Sequence, residues 1–543
     1  MSNLIKKSSS GRTLISCTYH ADKSLKSLTD VSGKTVHYGY DSLGRLERIC
    51  DDNGDEIVRY GHTAGGKLKE IRHGNGMHTI YEYDTDDNII RLTLKNEEGI
   101  VFSDFRYEYD WNGNRVLKSG SSILPGEENI KEQVIRYQYD SMDRLIEEKY
   151  DGKPVKYIYD RCGNRLVKVD SDGKEEYNYN RKNQLISHKK GTESVEYRYD
   201  LQGNILEEVD GRGKTEYYYN AFNQQTFVLM KDGGAQENWY DAEFLRAEVA
   251  ENGCRSRFLY YNGELLAESE LNDTVRNRYI LGYGVAASWQ KEGYHSYHLD
   301  EQNSTAYITD SGRRIENSYQ YDAFGVIREK NENVYNRILY TGQQYDQVTG
   351  QHYLRARYYN PVLGRFLQED VYRGDGLNLY VYCENNSVIY YDPSGYGKAP
   401  VVPFKKGQYN YPDINALNYN ERVRSLYGDP PDWMVDPHAH HFPYKKGKVN
   451  QQPTVDKIQD ILVDFEIDPI YGEEVLCWAP NRVKGQHATA QLESYLKELE
   501  ELKLNGGTRE EVIELTRRYQ QEDSVRGTEK EKKKNDSACE NKN

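Results

Sequence analysis

The stretch that decides the fold is YQYDSMDRLIEEKYDGKPVKYIYDRCGNRLVKVDSDGKEEYNYNRKNQLISHKKGTESVEYRYD, residues 137–200. A Tyr-x-Tyr-Asp/Asn motif recurs in it, and from Asp140 to Asn220 the step between copies is a constant twenty residues. Along the chain the copies end at Asp41, Asp84, Asp110, Asp140, Asp160, Asn180, Asp200 and Asn220. A fixed period of this length is typical of stacked structural repeats.

Each repeat predicts a strand, a turn and a second strand. The motif is followed by a turn such as RCGN or LQGN, and then by alternating residues such as Arg165–Val169. Alternation with period two is typical of a half-buried strand, and Gly-Asn or Asp-Gly suits a hairpin turn. A single hairpin cannot bury its own apolar face, so successive hairpins must stack or spiral into one sheet. The Tyr-Asp pairs are therefore interpreted as repeat architecture rather than as a ligand site.

Composition narrows the class of protein. The chain has 543 residues, 72 Lys+Arg against 87 Asp+Glu, a formal charge of −15, and 50 Tyr against 11 Phe. The length predicts several domains, and tyrosine must carry much of the packing. Because the net charge is negative, the chain as a whole is not expected to bind nucleic acid electrostatically. Any chemistry on nucleic acid therefore needs a local site. The seven scattered cysteines argue against a disulfide scaffold or a thiolate zinc site, and we expect neither a signal peptide nor a membrane-spanning segment.

The repeats resemble the YD-repeat, or Rhs, family of bacterial proteins over roughly residues 15–396. The likeness is sharpest in 297–396, where YHLDEQNSTAYITD, SYQYDAFG, YTGQQYDQVTGQHYLRARYYNPVLGRFLQED and GLNLYVYCENNSVIYYDPSGY are similar to the Rhs-associated core. The resemblance implies a mainly β shell of spiralling hairpins over 1–296. The core over 297–396 would close one end of this shell, which would enclose the polypeptide that follows.

The pattern changes after Tyr396. The Tyr-x-Tyr motif stops, prolines crowd into 400–443, and apolar residues take helical spacing around 455–462 and 492–502. Thr508-Arg509-Glu510-Glu511 predicts a capping box that opens a further helix. We expect a separate small α+β unit over 397–525 and a disordered charged tail over 526–543.

Two aspartates near this boundary suggest self-cleavage. Rhs proteins that process themselves carry two DPxG motifs eighteen residues apart, and their aspartates act as an aspartyl-protease pair. Asp370 and Asp392 stand at that separation, and DPSGY at 392–396 matches the second motif, whereas Val371 and Arg373 depart from the first. The resemblance implies cleavage after Tyr396, with one carboxylate as base and the other as acid. Alternatively, Asp392 begins a turn and Asp370 caps a neighbouring element.

A histidine cluster lies beyond the boundary, in DPHAHHFP at 436–443, and APNRVKGQH follows at 479–487. Neutral imidazoles bind metals and act as general bases, so adjacent histidines can divide these tasks. Adjacent side chains of an extended segment point to opposite faces, however, so a shared metal needs a bend. The cluster could equally be a zinc-stabilised turn or a solvated surface run.

The Ala-His-His triplet and the downstream GQH resemble the AHH group of the HNH/endonuclease VII superfamily, nuclease tips with a His-Me-finger-like strand, strand, helix fold. By this resemblance His441 is the general base, His440 and His487 are metal ligands, and Asn481 orients the base or the metal. His438 is expected to be a supporting or surface residue. Relatives carry Glu-Asn where this chain has Glu474-Val475, and if that asparagine was the functional one, Asn481 is a bystander. Lysines that could contact phosphates, or simply form a solvated turn, are Lys445, Lys446, Lys448 and Lys484.

Together these features predict an Rhs toxin whose tip hydrolyses nucleic-acid phosphodiester bonds in bacterial competition. The cofactor would be a divalent metal, Mg²⁺ or alternatively Zn²⁺. Expected partners are DNA or RNA, a cognate immunity protein and delivery machinery. The toxin would be secreted or displayed at the cell surface and would act in the target-cell cytoplasm. Two alternatives stay open: an adhesion module whose repeats bind glycans, and a truncated shell remnant without activity, which the start in mid-repeat favours.

Overall fold

A computed structural model describes residues 4–9, 11–272, 274–290, 293–371, 378–400, 437–441, 454, 457–458, 461–462, 476–480, 489–504 and 508–525. The chain divides into two compact units, Met1–Lys406 and Gly407–Asn543. The first unit continues past Tyr396, where the sequence pattern changes, because Ala399–Pro400 pairs with Tyr390–Tyr391. The charged tail at 526–543 lies outside the described residues.

The first unit is dominated by one sheet of thirty-one strands. Their bounds are β1 (Lys6–Ser9), β2 (Arg12–Tyr19), β3 (Leu25–Asp30), β4 (Thr35–Tyr40), β5 (Leu46–Cys50), β6 (Glu56–His62), β7 (Leu68–His73), β8 (Met77–Tyr83), β9 (Ile89–Asn96), β10 (Val101–Tyr109), β11 (Arg115–Ile123), β12 (Ile130–Tyr139), β13 (Leu145–Tyr150), β14 (Lys153–Tyr159), β15 (Arg165–Asp170), β16 (Gly173–Tyr179), β17 (Leu185–Lys190), β18 (Glu193–Tyr199), β19 (Ile205–Asp210), β20 (Gly213–Tyr219), β21 (Gln225–Leu229), β22 (Ala235–Tyr240), β23 (Arg246–Glu251), β24 (Cys254–Tyr261), β25 (Glu264–Ser269), β26 (Val275–Gly282), β27 (Gly284–Gln290), β28 (Gly293–Leu299), β29 (Thr305–Thr309), β30 (Ile315–Tyr321) and β31 (Ile327–Glu332).

Consecutive strands pair antiparallel, so the sheet is a continuous meander of hairpins. The motif aspartate builds each turn: Asp160 Oδ1 accepts the backbone N–H groups of Cys162 and Asn164, both at 2.8 Å. The third turn residue takes a left-handed conformation, as at Gly163 with φ 80° and Asn183 with φ 62°. Such turns suit glycine and asparagine, so the sequence-predicted hairpins are confirmed.

The two tyrosines of each motif have different structural roles. The first is buried, as Tyr157 and Tyr177 are. In most copies, though not at Tyr159 or Tyr219, the second donates its hydroxyl to a backbone carbonyl of the preceding repeat, as in Tyr179 to Arg165 at 2.9 Å and Tyr199 to Leu185 at 3.1 Å. The motif therefore has a structural role in the repeat. Its first ring packs in the core, and its second tyrosine connects neighbouring repeats.

The meander winds so that β26–β30 lie against the early strands. Arg278 pairs with Asp30, Asn75 donates to Thr309 at 2.9 Å, and Tyr107 donates to Glu301 at 3.0 Å. One hydrophobic cluster draws residues from both regions, among them Ile15, Ile49, Tyr60, Leu266 and Ile280. This winding agrees with the spiralling sheet expected from the sequence.

Residues 334–396, here called the closing segment, form shorter elements. Four strands make a small antiparallel sheet: β32 (Gln344–Asp346), β33 (Gln351–Tyr353), β34 (Tyr358–Asn360) and β35 (Arg365–Phe366). Single 3₁₀ turns span Tyr340–Gly342 and Cys383–Asn385, and β36 (Tyr390–Tyr391) pairs with β37 (Ala399–Pro400).

The closing segment docks on the turns of three successive repeats. Asn385 Nδ2 donates to the carbonyl of Gly163 at 2.9 Å, and Arg365 Nη2 donates to that of Asn183 at 2.6 Å. Tyr380 Oη donates to the carbonyl of Gly203 at 2.9 Å. These carbonyls occupy the same position in each repeat, so the twenty-residue period sets the spacing of the docking points.

The second unit contains β38 (Pro437–His441), β39 (Leu476–Pro480), α1 (Thr489–Leu504) and α2 (Arg509–Val525). Its buried core consists of Ile458, Ile461, Leu462, Leu492, Tyr495, Leu499, Val512, Leu515 and Tyr519. The predicted capping box is present: Thr508 N–H donates to Glu511 Oε2 at 2.7 Å, and Glu511 N–H to Thr508 Oγ1 at 3.3 Å. The described part is thus of α+β type.

Candidate functional site

The closing segment brings the two predicted aspartates to one guanidinium. Asp370 follows β35, Asp392 follows β36, and both are almost fully buried. Arg357 Nη2 lies 2.8 Å from Asp370 Oδ2 and 3.6 Å from Asp392 Oδ2. The two carboxylates, separated in the sequence, therefore face the same nitrogen atom.

Arg357 itself is firmly fixed. Its Nη1 donates to the carbonyl of Leu379 at 3.1 Å, its Nε donates to the carbonyl of Gly395, and its guanidinium lies 3.6 Å from the ring centre of Phe366. Backbone pairing adds to this, since Asp370 N–H donates to Leu379 at 3.0 Å. A buried charge is tolerable only when it is paired and hydrogen-bonded in this way.

Asp392 sits at the start of the turn that leads to Tyr396. Its Oδ1 accepts the N–H groups of Ser394 at 3.1 Å and Gly395 at 2.7 Å. Burial raises the pKa of the Asp392 carboxyl, while the charge of Arg357 and the N–H groups of Ser394, Gly395 and Gly397 lower it. The Gly397 nitrogen belongs to the peptide bond after Tyr396. The Asp392 carboxyl therefore accepts a hydrogen bond from the nitrogen of that peptide bond.

Sequence analysis missed Arg357. It stands in YLRARYYN, close to Arg355 and Arg365, and no local pattern distinguishes the three arginines. Of the predicted residues around this site, Tyr396 is half-exposed and Val371 is 69% exposed, so neither is packed into the core. Arg373, the other departure from the family pattern, lies outside the described residues.

The histidine triplet lies on a paired strand. β38 pairs antiparallel with β39, which places His440 opposite Cys477, His441 opposite Leu476, and His438 opposite Ala479. Helix α1 begins at Thr489, after β39. Among the described residues the order is therefore β38, helical residues at 454, 457–458 and 461–462, β39, and then α1. The other predicted residues of this region lie outside the described residues: Lys445, Lys446, Lys448, Glu474, Val475, Asn481, Lys484 and His487.

The described residues contain no group of three or more His, Cys, Asp or Glu side chains placed to hold a metal ion. The described helices include none that is long and apolar enough to cross a membrane.

Comparisons with known proteins concern mainly the first unit. Residues 129–388 match the family model of the teneurin YD-shell. The tRNA3(Ser)-specific nuclease WapA of Bacillus spizizenii is 36% identical over 169 residues, which are 29% of this chain and 7% of that protein. The double-stranded DNA deaminase toxin A of Burkholderia cenocepacia is 24% identical over 365 residues, 60% of this chain and 19% of that protein.

A solved structure shares the fold. The Tc holotoxin pore of Photorhabdus luminescens superposes with a TM-score of 0.56 at 19% identity, covering 73% of this chain and 21% of that chain. The chain thus spans only a small part of these relatives. The matches agree with the YD-repeat pattern of the sequence and with the mainly β sheet expected from it.

Proposed function

We propose that the chain is an Rhs-type toxin whose second unit hydrolyses nucleic-acid phosphodiester bonds. The observation that carries the proposal is the pairing of β38 with β39 ahead of α1, because a strand pair followed by a helix suits a His-Me finger, and His440 and His441 end the first of these strands. Relatives named as toxins and tRNA nucleases support the same proposal.

In this proposal His441 acts as general base and takes a proton from the attacking water. The donor set suits a divalent cation, with imidazole nitrogens of His440 and His487 as the ligands, and Asn481 would orient the base or the metal. Such a cation, when bound, supplies Lewis-acid stabilisation of the phosphate. Lys445, Lys446, Lys448 and Lys484 would contact flanking phosphates, since lysine pairs with them as a point charge.

The test is cleavage of plasmid DNA and total tRNA by the purified chain, with Mg²⁺ or with EDTA. His441→Ala should lower the rate on the order of 10²–10⁴-fold, the usual effect of removing a positioned base. His37→Ala, an exposed histidine of the first unit, is the control and should cleave at the wild-type rate. Undiminished cleavage by a folded His441→Ala chain would refute the assignment. An adhesion module or an inactive remnant would cleave neither nucleic acid.

A nuclease tip endangers the cell that makes it. The proposal therefore includes a cognate immunity protein that binds the second unit, delivery machinery, and action in the target-cell cytoplasm after secretion or surface display. Expression of the second unit in a susceptible cell should stop growth, and co-expression of the inhibitor should restore it. Normal growth with folded protein present would count against the toxin.

A second activity, self-cleavage between Tyr396 and Gly397, is favoured by the Asp370–Arg357–Asp392 cluster. Asp370 would accept a proton from water as the water oxygen attacks the Tyr396 carbonyl carbon. Asp392 would donate its proton to the Gly397 nitrogen as the peptide bond breaks. The products are a carboxyl terminus at Tyr396 and an amino terminus at Gly397. On a denaturing gel the wild-type chain should run as two fragments and Asp392→Asn as one, and an intact wild-type chain would refute self-cleavage.

A further inference from the structure

The turns that follow the Tyr-x-Tyr motif lie side by side along one edge of the meander. Consecutive strands pair antiparallel, so every motif turn is at the same end of its hairpin. Neighbouring turns touch, since Asn164 Nδ2 donates to Asn183 Oδ1 at 2.9 Å and Asn204 Nδ2 donates to Asn223 Oδ1 at 3.1 Å. Each hairpin adds two strands of about 4.8 Å, so successive turn tips are about 10 Å apart. We call the exposed tips of these turns the turn row.

The turn row is basic in its middle and apolar towards its ends. Arg161, Arg181 and Lys182 are exposed at two successive turns. Leu201 follows at the next turn and Phe222 at the one after, and they are 97% and 68% exposed. Exposed apolar tips along the whole row are Trp111, Met142, Leu201, Phe222 and Phe244. Single exposed apolar residues are ordinary, but a series along one edge marks an interaction surface.

Phe244 occupies a strained backbone position. Its φ is +61°, the left-handed conformation that Gly203 and Asn223 adopt in the two preceding turns. This conformation suits glycine and asparagine and is unfavourable for a bulky side chain. Phe244 is nevertheless 56% exposed, and its ring meets that of Phe222 edge to face with ring centres 5.4 Å apart. Two aromatic rings are thus held at the surface, which is unfavourable in water and favourable where an apolar medium receives them.

The middle of the turn row is positively charged, although the chain as a whole has a formal charge of −15. Arg161, Arg181 and Lys182 supply three cations in two adjacent turns. The acidic residue of these two turns is Asp160, and its carboxylate accepts three hydrogen bonds within its own turn. Glu243, at the apolar end of the row, is paired with a lysine of β1 at 2.9 Å. The row therefore favours an anionic partner.

The shape of the turn row favours a lipid surface over a protein partner. Leu201 protrudes almost completely from its turn, and polar turn backbone separates it from the neighbouring tips. A helix or peptide binds in a groove, and single protruding side chains do not form one. A bilayer interface receives separate apolar side chains among its headgroups, and anionic headgroups attract basic side chains. The apolar tips and the basic middle thus suit the same partner.

We propose that the turn row docks the first unit on a membrane surface that carries anionic lipid. Leu201, Phe222 and Phe244 would enter the headgroup region, and the three basic tips would pair with lipid phosphates. Trp111, at the far end of the row, would add an aromatic ring of the kind that favours this region. The attraction to the headgroups should weaken with salt, because it extends over about one Debye length.

The test is flotation of the purified full chain with lipid vesicles. The chain should bind vesicles of equal parts phosphatidylcholine and phosphatidylglycerol. It should bind vesicles of phosphatidylcholine alone about tenfold or more weakly, since these offer no net negative charge. A chain that floats with neither vesicle would overturn the proposal, and equal binding to both would overturn the role of the basic tips.

The basic tips are tested by Arg181→Gln combined with Lys182→Gln. Binding to the mixed vesicles should weaken about thirtyfold, the effect of two basic residues near an anionic surface. The matched control is Lys174→Gln combined with Arg212→Gln, which removes the same charge from exposed residues at the opposite ends of these hairpins. The control should bind like the wild type. Equal losses in the two variants would reduce the effect to net charge and overturn the site.

The apolar tips are tested by Leu201→Ser combined with Phe222→Ser, which should weaken binding to the mixed vesicles about tenfold or more. Ile158→Thr combined with Ile186→Thr is the control, because these exposed residues lie within strands β14 and β17 rather than in the turn row. Thermal unfolding confirms that each variant is folded. Wild-type binding by the folded serine variant would overturn the proposal. A dimer of the wild-type chain that the serine changes dissociate would assign the turn row to a second copy instead of lipid.

Discussion

Asp346 is a fully buried carboxylate that fastens the closing segment to the repeats. It accepts from Arg246 Nη2 at 2.9 Å, Gln236 Nε2 at 2.7 Å and Arg337 Nη1 at 3.1 Å, so residues of β22 and β23 meet β32 here. Both members of the Arg246–Asp346 pair are 0% exposed. Such a pair adds little over an apolar contact of the same shape, but loss of one partner leaves an uncompensated charge in the core.

Arg246→Ala should therefore lower the free energy of unfolding by about 3–5 kcal/mol, measured by urea denaturation of the first unit. Arg314→Ala is the control, because Arg314 pairs with Asp310 but its side chain is 80% exposed. That change should leave the unfolding free energy nearly unchanged, because solvent screens an exposed ion pair. Equal losses of unfolding free energy for the two substitutions would contradict the prediction that burial makes the loss of Arg246 more costly.

His73 and His298 meet edge to face where the early and late strands touch, with ring centres 4.7 Å apart. Among the described residues neither nitrogen of His73 has a hydrogen-bond partner, and His298 donates or accepts at Thr309 Oγ1. Burial, aided by the charge of His78, lowers the pKa of His73 to about 3. The unfolded chain takes up that proton near pH 6.5, so the folded state loses stability as the pH falls from there towards 3.

Each pH unit within that range should cost about 1.4 kcal/mol through His73. His73→Phe removes the titrating group. The slope of unfolding free energy against pH between pH 6 and 4 should then decrease by the amount that corresponds to about one proton. Exposed His20→Phe serves as the control and should leave the slope unchanged. A slope that His73→Phe does not alter would assign the acid sensitivity to other groups.

At the scale of the element, the repeat was predictable because its determinants are local. Strands β14, β16, β18 and β20 begin and end twenty residues apart, as the motif does, and the capping box of α2 forms between four consecutive residues. Arg357 and the Asp346 network could not be predicted, since the contact of Arg357 with Asp370 spans 13 positions and that of Arg246 with Asp346 spans 100. Contacts between residues so far apart produce no repeating pattern in the sequence.

The turn chemistry of one repeat can be tested against its neighbours. Asp160→Ala removes the acceptor of the Cys162 and Asn164 N–H groups and should lower the unfolding free energy by about 1–3 kcal/mol. Asp160→Asn should cost less than about 1 kcal/mol, because Asn180 holds the same turn through its own Oδ1. Equal losses for alanine and asparagine, read by urea denaturation, would rule out this role of the side-chain oxygen.

At the scale of the whole first unit, the closing segment connects successive repeats through side-chain hydrogen bonds to their turns. Asn385, Arg365 and Tyr380 hold the carbonyls of three successive turns, and Gln302 donates to Ser387 at 2.6 Å from the side of β29. Because these contacts are individually weak, the closing segment should open locally and in steps rather than in a single cooperative transition.

Tyr380→Phe combined with Asn385→Ala removes two of the three turn contacts. Amide hydrogen exchange in 358–392 should then speed up by about tenfold or more, since each lost hydrogen bond is worth about 1 kcal/mol. Exchange in β2–β9 should stay as in the wild type, because these strands do not carry the contacts removed. Faster exchange everywhere would mean that the two residues stabilise the sheet as a whole.

The meander also sets an order of events during synthesis. Because each strand pairs with its neighbours in sequence, hairpins can form one after another as the chain leaves the ribosome. Contacts across the winding, such as Asp30 with Arg278, must wait until some two hundred and forty-eight further residues have been made. Asp370 and Asp392 belong to the last part of this unit, so translation itself keeps the two aspartates from meeting at Arg357 until the sheet that supports them has been made.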